Sequence, residues 1–188
     1  MIAVGTLVLR PLELKDVESL YRFRNDWEFT SLLGGFSPGY SHTDLEQWIR
    51  GHSNRADEIL WAIAEHDTDS CVGHAGLYKI DQRVGKAEYA IVIGDNKWLS
   101  RGFGTRVTAT VVEWAFLQLN LRKVSLSVLS SNPRALHIYE KLGFQREGAL
   151  RDEQIRDGRY LDLILMALFR EEWYSRQADK TKVSYDTK

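Results

Sequence analysis

Residues whose types and spacing could do chemistry fall in a few places. The segment Leu99-Ser100-Arg101-Gly102-Phe103-Gly104-Thr105 follows an apolar run and leads into a longer one. A strand, a glycine turn and a helix N-terminus together make an anion site: small residues let backbone N–H groups approach, and the free first-turn donors and helix dipole favour negative charge. A phosphate or pyrophosphate fits, although two glycines before a helix are equally consistent with turn chemistry alone. No Gly-Lys-Ser/Thr follows, which argues against a nucleotide-triphosphate loop. The third glycine of a dinucleotide fingerprint would fall at Val107, which argues against that site too. Glu88 interrupts Ala87-Glu88-Tyr89-Ala90-Ile91-Val92-Ile93, and a carboxylate in a half-buried strand needs a reason. Proton transfer is one; an outward-facing ion pair with Lys79 or Lys86 is another. Asp26, Trp27, Glu28, Phe29, Phe36 and Tyr40 gather acids and rings in one stretch, with Asp44 just beyond. Carboxylates and ring faces attract an ammonium, and the same aromatics would also serve to cover a sheet edge. His42, His52, His66, His74 and His137 show no metal-ligand spacing and read as surface or hydrogen-bonded side chains. Cys71 reads as a small buried apolar residue rather than a nucleophile.

The elements that must position these groups follow from periodicity and punctuation. Leu7-Val8-Leu9-Arg10-Pro11 is an opening strand stopped by proline. Val17, Leu20, Tyr21 and Arg24 have helical spacing, and an aromatic, glycine-rich loop runs from Trp27 to Tyr40. Thr43 with Glu46 predicts a capping box for a helix through Trp48 and Ile49. Strands are expected at about 58–66, 70–80 and 84–94, and a helix over 103–119. Val124, Leu126 and Val128 alternate with serines as a half-buried strand. Asn132-Pro133 starts a helix with an N-cap and a first-position proline, and Gly143 stops it. Asp157-Gly158 joins strands at 144–155 and 159–168 as a hairpin. The expected order is β-α-α-β-β-β-α-β-α-β-β: an α+β fold with a mostly antiparallel sheet of about seven strands, about four helices and one parallel crossover around 103–119.

The bulk properties set limits on function. A chain of 188 residues reads as one domain able to bury roughly 70% of its unfolded surface. Residues 1–173 are taken as that domain and 174–188 as a polar tail that frays. Net charge is −1, which gives no nucleic-acid or membrane footprint. The start lacks a basic segment followed by an apolar one, so no signal peptide is expected. No apolar run has the length of a membrane span. A single cysteine makes no internal disulfide, in keeping with a reducing, cytoplasmic setting.

Two segments carry a family resemblance. Leu99 to Gly104 resembles the acetyl-CoA motif of the GNAT superfamily, Gln/Arg-x-x-Gly-x-Gly/Ala, with Gly102 and Gly104 on its small positions and Leu99 departing from Gln or Arg. Asn132-Pro133-Arg134-Ala135-Leu136-His137-Ile138-Tyr139-Glu140-Lys141-Leu142-Gly143-Phe144 resembles the second motif, Asn-x-x-Ala-x-x-x-Tyr-x-Lys-x-Gly-Phe. Leu9-Arg10-Pro11, Asp157-Gly158 and Leu163-Ile164-Leu165-Met166 look like the RimJ/RimL branch, named for ribosomal-protein N-terminal acetyltransferases. The resemblance implies the GNAT fold and acetyl-CoA as acetyl donor. It also implies a cofactor site at Ile91, Val92, Ile93, Leu99, Ser100, Arg101, Gly102, Phe103, Gly104, Thr105, Asn132, Ala135, Tyr139 and Lys141. Arg101 and Arg106, with Lys97 nearby, are expected to supply the charge that Leu99 lacks. Members of the branch occur as monomers and homodimers.

Acetyl transfer to an amine needs a deprotonated nucleophile, a stabilised oxyanion and a proton for the departing thiolate. A lysine-like amine is free base only about 1 part in 2,500 at pH 7, a cost near 4.6 kcal/mol, against about 1–1.4 kcal/mol for an α-amine. Many members of the superfamily carry a glutamate base on the strand that holds Glu88. The resemblance makes Tyr139 the general acid, one helical turn after Ala135. Backbone at 91–93 is expected to pair with the pantetheine arm as an added strand would. Trp27, Glu28, Phe36, Tyr40 and Glu88 are the candidate acceptor contacts. The acceptor is a protein N-terminal amine or a small amine such as an aminosugar or polyamine, attacked in a ternary complex. A non-catalytic CoA-binding module of the same fold is the alternative.

Overall fold

The structure, a computed structural model, describes residues 1–31, 33, 39–52, 55–94, 96–99 and 101–185, with backbone only at Glu28, Asn96 and 179–185. Its strands are β1 (Ile2–Val4), β2 (Leu7–Pro11), β3 (Ile59–Glu65), β4 (Cys71–Asp81), β5 (Lys86–Ile93), β6 (Lys123–Leu129), β7 (Gln145–Arg156) and β8 (Arg159–Phe169). Its helices are α1 (Val17–Arg24), α2 (Trp27–Thr30), α3 (His42–His52), α4 (Phe103–Gln118), α5 (Pro133–Leu142) and α6 (Arg170–Tyr185). Among the described residues the strands form one sheet in the order β1-β2-β3-β4-β5-β6-β8-β7. All pairs are antiparallel except β5–β6, the parallel step that the crossover through α4 requires.

The architecture is the expected α+β class with three additions. β1 turns back on β2 through Gly5-Thr6, too short a strand for alternation to reveal. The stretch expected as loop from Trp27 begins as α2, whose N-cap Asp26 accepts from the Phe29 amide at 3.0 Å. The expected fraying tail is helical to Tyr185. Glu172 begins that helix by accepting from the Phe169 amide at 3.0 Å, and Trp173 anchors it in the core. The cap of α3 also lies two residues earlier than Thr43–Glu46. Asp44 accepts from the Ser41 amide at 2.8 Å, and the Ser41 hydroxyl accepts from the Asp44 amide at 3.1 Å.

Two apolar cores sit on opposite faces of the sheet. One joins β1–β6 and β8 to α4, α5 and Trp173, with Val107, Val111, Val112 and Ala115 fully buried. The other is smaller and lies under α1 and α3, where Val17, Leu20, Phe23, Leu45 and Ile49 pack with Val92 of β5. Gly94 makes the second packing possible: a Cβ there would stand 2.1 Å from Cγ of Phe23. The buried Arg10 ties β2 to the start of α1, with Nη1 and Nη2 each 2.8 Å from one Asp16 oxygen, and it also pairs with Asp69.

Candidate active site

The parallel pair β5–β6 opens the site. Its ladder runs only from Lys86↔Lys123 to Glu88↔Ser125, and beyond those pairs the two strands separate while each continues its outer pairing. The direction of each amide on β5 follows from alternation. The carbonyl of Ala87 accepts from Ser125 Oγ at 3.2 Å, so Ala87 faces β6. The amide of Gly94 donates to Val72 at 2.9 Å, so Gly94 faces β4. Backbone groups alternate sides along a strand. Ile91 and Ile93 therefore present N–H and C=O to the gap, and Val92 presents its own to β4. The expectation of backbone pairing across 91–93 is corrected accordingly: Ile91 and Ile93 are placed to pair with an inserted chain, and Val92 is not.

The gap widens into a cleft of about 1150 Å³. Its floor is Glu88 to Ile93, one wall is Leu99 and Gly102 to Thr105, and the other is Asn132, Ala135 and Tyr139 of α5 with Ser127 to Leu129. Trp27, Phe29 and Tyr40 close one end, together with the β7–β8 turn at Asp157-Gly158. Ser100 and Phe36 lie outside the described residues, as does the side chain of Glu28. Lys141 and Arg101 stand outside the lining. The Lys141 carbonyl accepts from Arg176, and Arg101 donates to the Lys97 carbonyl, each at 3.4 Å.

Gly102 caps α4 with φ 78°, a left-handed conformation that costs a side-chain-bearing residue about 1 kcal/mol or more. The first turn of α4, whose amides have no partner within the helix, lines the cleft from Gly102 to Thr105. Buried side chains brace it from beneath. Tyr89 Oη donates to Thr108 Oγ1 at 3.0 Å, and Thr108 Oγ1 donates to the Gly104 carbonyl at 2.7 Å. A strand tyrosine is thus tied to the glycine turn through a helical threonine. Cations expected to replace the missing Gln or Arg are engaged elsewhere: Lys97 pairs with Glu65 at 2.8 Å, and Arg106 lies 4.3 Å over the Phe103 ring. Arg134, one residue into α5, is a cation of the cleft lining near the start of that helix. It occupies an unconstrained position of the second motif, so the motif gave no reason to single it out.

α5 begins as its sequence predicts, with Asn132 Oδ1 accepting from the Ala135 amide at 3.1 Å and Pro133 in the first turn. Gly143 closes it at φ 105°. These caps fix the roll of the helix and bury Tyr139 against Phe144, ring centroids 5.7 Å apart. Burial alone pushes the Tyr139 phenol up to about 12. Glu88 is partly exposed and its Oε2 is 2.8 Å from Lys79 Nζ, so it has the outward ion pair and lines the cleft as well. Asp26 and Asp44, the acids at the two ends of the acidic, aromatic stretch, are helix caps and do not line the cleft.

The part of the cleft lined by Tyr40 holds a cluster that spacing did not reveal. His74 is 3% exposed, where a surface or fully bonded histidine was expected. Its Nε2 accepts from Arg24 Nη2 at 3.0 Å, and its Nδ1 has no partner among the described residues. Burial, followed by the charge of Arg24, holds its pKa well below the ordinary imidazole value. Arg24 closes α1 and lines the cleft. Tyr40 is held beside it by Asn25, whose side chain donates to the Tyr40 carbonyl at 2.9 Å and accepts from its amide at 2.7 Å.

Comparison with known proteins agrees with this geometry. Residues 6–145 match the acetyltransferase (GNAT) domain. The chain is 30% identical over 169 residues to an uncharacterized N-acetyltransferase, p20, of Bacillus licheniformis, covering 89% of this chain and 94% of the relative. It is 29% identical over 171 residues to a spermidine N(1)-acetyltransferase of Vibrio cholerae, covering 90% and 96%. The crystal structure of spermidine N-acetyltransferase from Vibrio cholerae in complex with CoA and spermine superposes with a TM-score of 0.82 at 28% identity, covering 90% of this chain and 98% of that one. A strand gap edged by free amides and headed by a helix N-terminus suits a long amide-bearing arm ending in pyrophosphate. The chain belongs to the GNAT superfamily of N-acetyltransferases and takes its acetyl group from acetyl-CoA.

Proposed function

We propose that this enzyme acetylates a primary amine of a small molecule by direct attack in a ternary complex, with Glu88 as base and Tyr139 as acid. The observation that carries this reading is the splay of β5 from β6 after Glu88↔Ser125, beside a cleft that both Glu88 and Tyr139 line. Acetyl-CoA supplies an acetyl thioester there. Ile91 and Ile93 hold its amide-bearing arm, the first amides of α4 hold its pyrophosphate, and Arg134 adds the positive charge.

Glu88 accepts the proton that the ammonium must lose. Its ion pair with Lys79 is no obstacle, because exposed pairs are worth only about 0–1 kcal/mol. Tyr139 keeps its proton throughout the working pH range and gives it to sulfur as the carbon–sulfur bond breaks. Solved and curated relatives that act on spermidine support a small-molecule acceptor. Leu9-Arg10-Pro11 and Leu163-Ile164-Leu165-Met166 support a place in the RimJ/RimL-like branch.

The test is an acceptor screen with purified protein, read by CoA thiol release and product mass. Thiol release that depends on the amine, matched by monoacetylated product, is the expected result. Acetyl-CoA binding with no amine-dependent release across the panel would identify a CoA-binding module instead.

A further inference from the structure

We propose that Arg24 recognises a carboxylate on the acceptor, so that the substrate class is a primary amine bearing a carboxylate rather than a polyamine. The inference rests on the acetyl-transfer reading above and adds the chemistry of the other end of the acceptor.

Arg24 is a half-buried cation that lines the cleft. Its guanidinium lies 4.1 Å over the Trp48 ring and 5.4 Å from the Tyr40 centroid. One of its five N–H donors is used on His74, an imidazole that burial keeps neutral. The other polar groups facing it are Tyr40, which hydrogen-bonds it, and Tyr78. Among the described residues no carboxylate pairs with it. A guanidinium taken out of water with neutral neighbours alone is costly, and a counter-anion relieves that cost. Stacked on an indole, its planar fork is pre-organised for the two parallel hydrogen bonds that a carboxylate accepts.

Arg24 also stands on the same side of the sheet as Glu88. His74 is opposite Val92, and Tyr78 is opposite Glu88, so the two positions share a sheet face at about 13 Å along the strand. An acceptor carrying both an ammonium and a carboxylate has a partner for each charge along that wall. A polycation finds less: Asp26 and Asp44 are occupied as caps, and the described acids of the lining are Glu88 and Asp157.

The experiment uses matched amines: ω-amino acids of graded chain length and L-lysine, their amides, the corresponding decarboxylated amines, and spermidine. Each is measured for turnover and, by calorimetry, for binding to the CoA-loaded enzyme. Carboxylated members should be preferred about 10- to 100-fold over their amides. Arg24→Gln should collapse that ratio toward one, and Arg24→Lys should retain part of it. Arg24→Met keeps the stem over Trp48, and the wild-type ratio alone decides the matter if every variant unfolds. Equal or better use of spermidine or decarboxylated amines by the wild type would overturn the proposal while leaving acetyl transfer standing. If nothing is turned over, acetyl transfer fails, and calorimetry still decides. Selective uptake of the carboxylated ligands, lost in Arg24→Gln, would uphold the carboxylate site. Absence of that selectivity would remove it.

Discussion

Tyr139 is defined by what burial does to a phenol. A group pushed up to about 12 is a weak acid in solution, and a thiolate whose parent thiol has a pKa near 8.5 is a weak base. Moving the proton ahead of bond cleavage would cost about 5 kcal/mol on that difference. Transfer therefore accompanies departure of sulfur. The same shift predicts the pH profile: Tyr139 remains protonated through pH 10 and contributes no basic limb to kcat below that. A basic limb near pH 8–9 that disappears in Tyr139→Phe would contradict this. Glu88→Gln should lower turnover, and more for a lysine-like amine than for an α-amine, because the base matters most where free amine is scarcest. Parallel kcat values for two such acceptors check it. Arg134→Ala should raise the dissociation constant for acetyl-CoA with little change in kcat, read by isothermal titration and steady-state rates.

At the scale of elements, α5 shows how far local sequence reaches. Asn132, Pro133 and Gly143 act where their chemistry places them, and Asn132→Ala should cost about 0.5–2 kcal/mol in chemical denaturation. The Asp157-Gly158 turn is equally local, both residues having positive φ. The cleft is not local. The splay of β5 from β6 depends on strands more than thirty residues apart in register, and no residue type announces it. Arg24 and His74 read singly as the last residue of a helical pattern and as a lone strand histidine; only the packing of α1 on β4 joins them. Asp26 and Asp44 were misleading for a related reason, since an acid near rings suggests a ligand until the helix it caps is known. Residues 89 and 108 form a brace that sequence also left unmarked. Thr108→Val should loosen the glycine turn, raising the KM for acetyl-CoA and costing about 1–3 kcal/mol for the orphaned Tyr89 hydroxyl.

The whole molecule carries a pH signature of its own. Burial raises the Cys71 thiol and the Tyr78 phenol to about 12, and holds the Tyr89 phenol well above its ordinary value; Tyr139 joins them. Each group ionises in the unfolded chain at about 8.5–10 but stays neutral in the folded one. The unfolded state then binds fewer protons, so the contribution of these four groups is level below about pH 8.5 and declines as pH rises toward 12. Urea midpoints at pH 7.5, 9 and 10.5 should fall in that order, with Cys71 slow to react with a thiol reagent until unfolding. At the other anchor, Asp16→Asn removes the buried carboxylate of Arg10 and leaves the more exposed Asp69 as its ion-pair partner among the described residues, and should cost about 3–5 kcal/mol.

The measurement that bears most directly on the central claim is turnover and acetyl-CoA affinity of Tyr139→Phe beside the wild type. Loss of turnover by about 10²–10⁴-fold, with acetyl-CoA affinity nearly unchanged, is the predicted result. Unchanged turnover would contradict the account and move the acid to another group in the cleft.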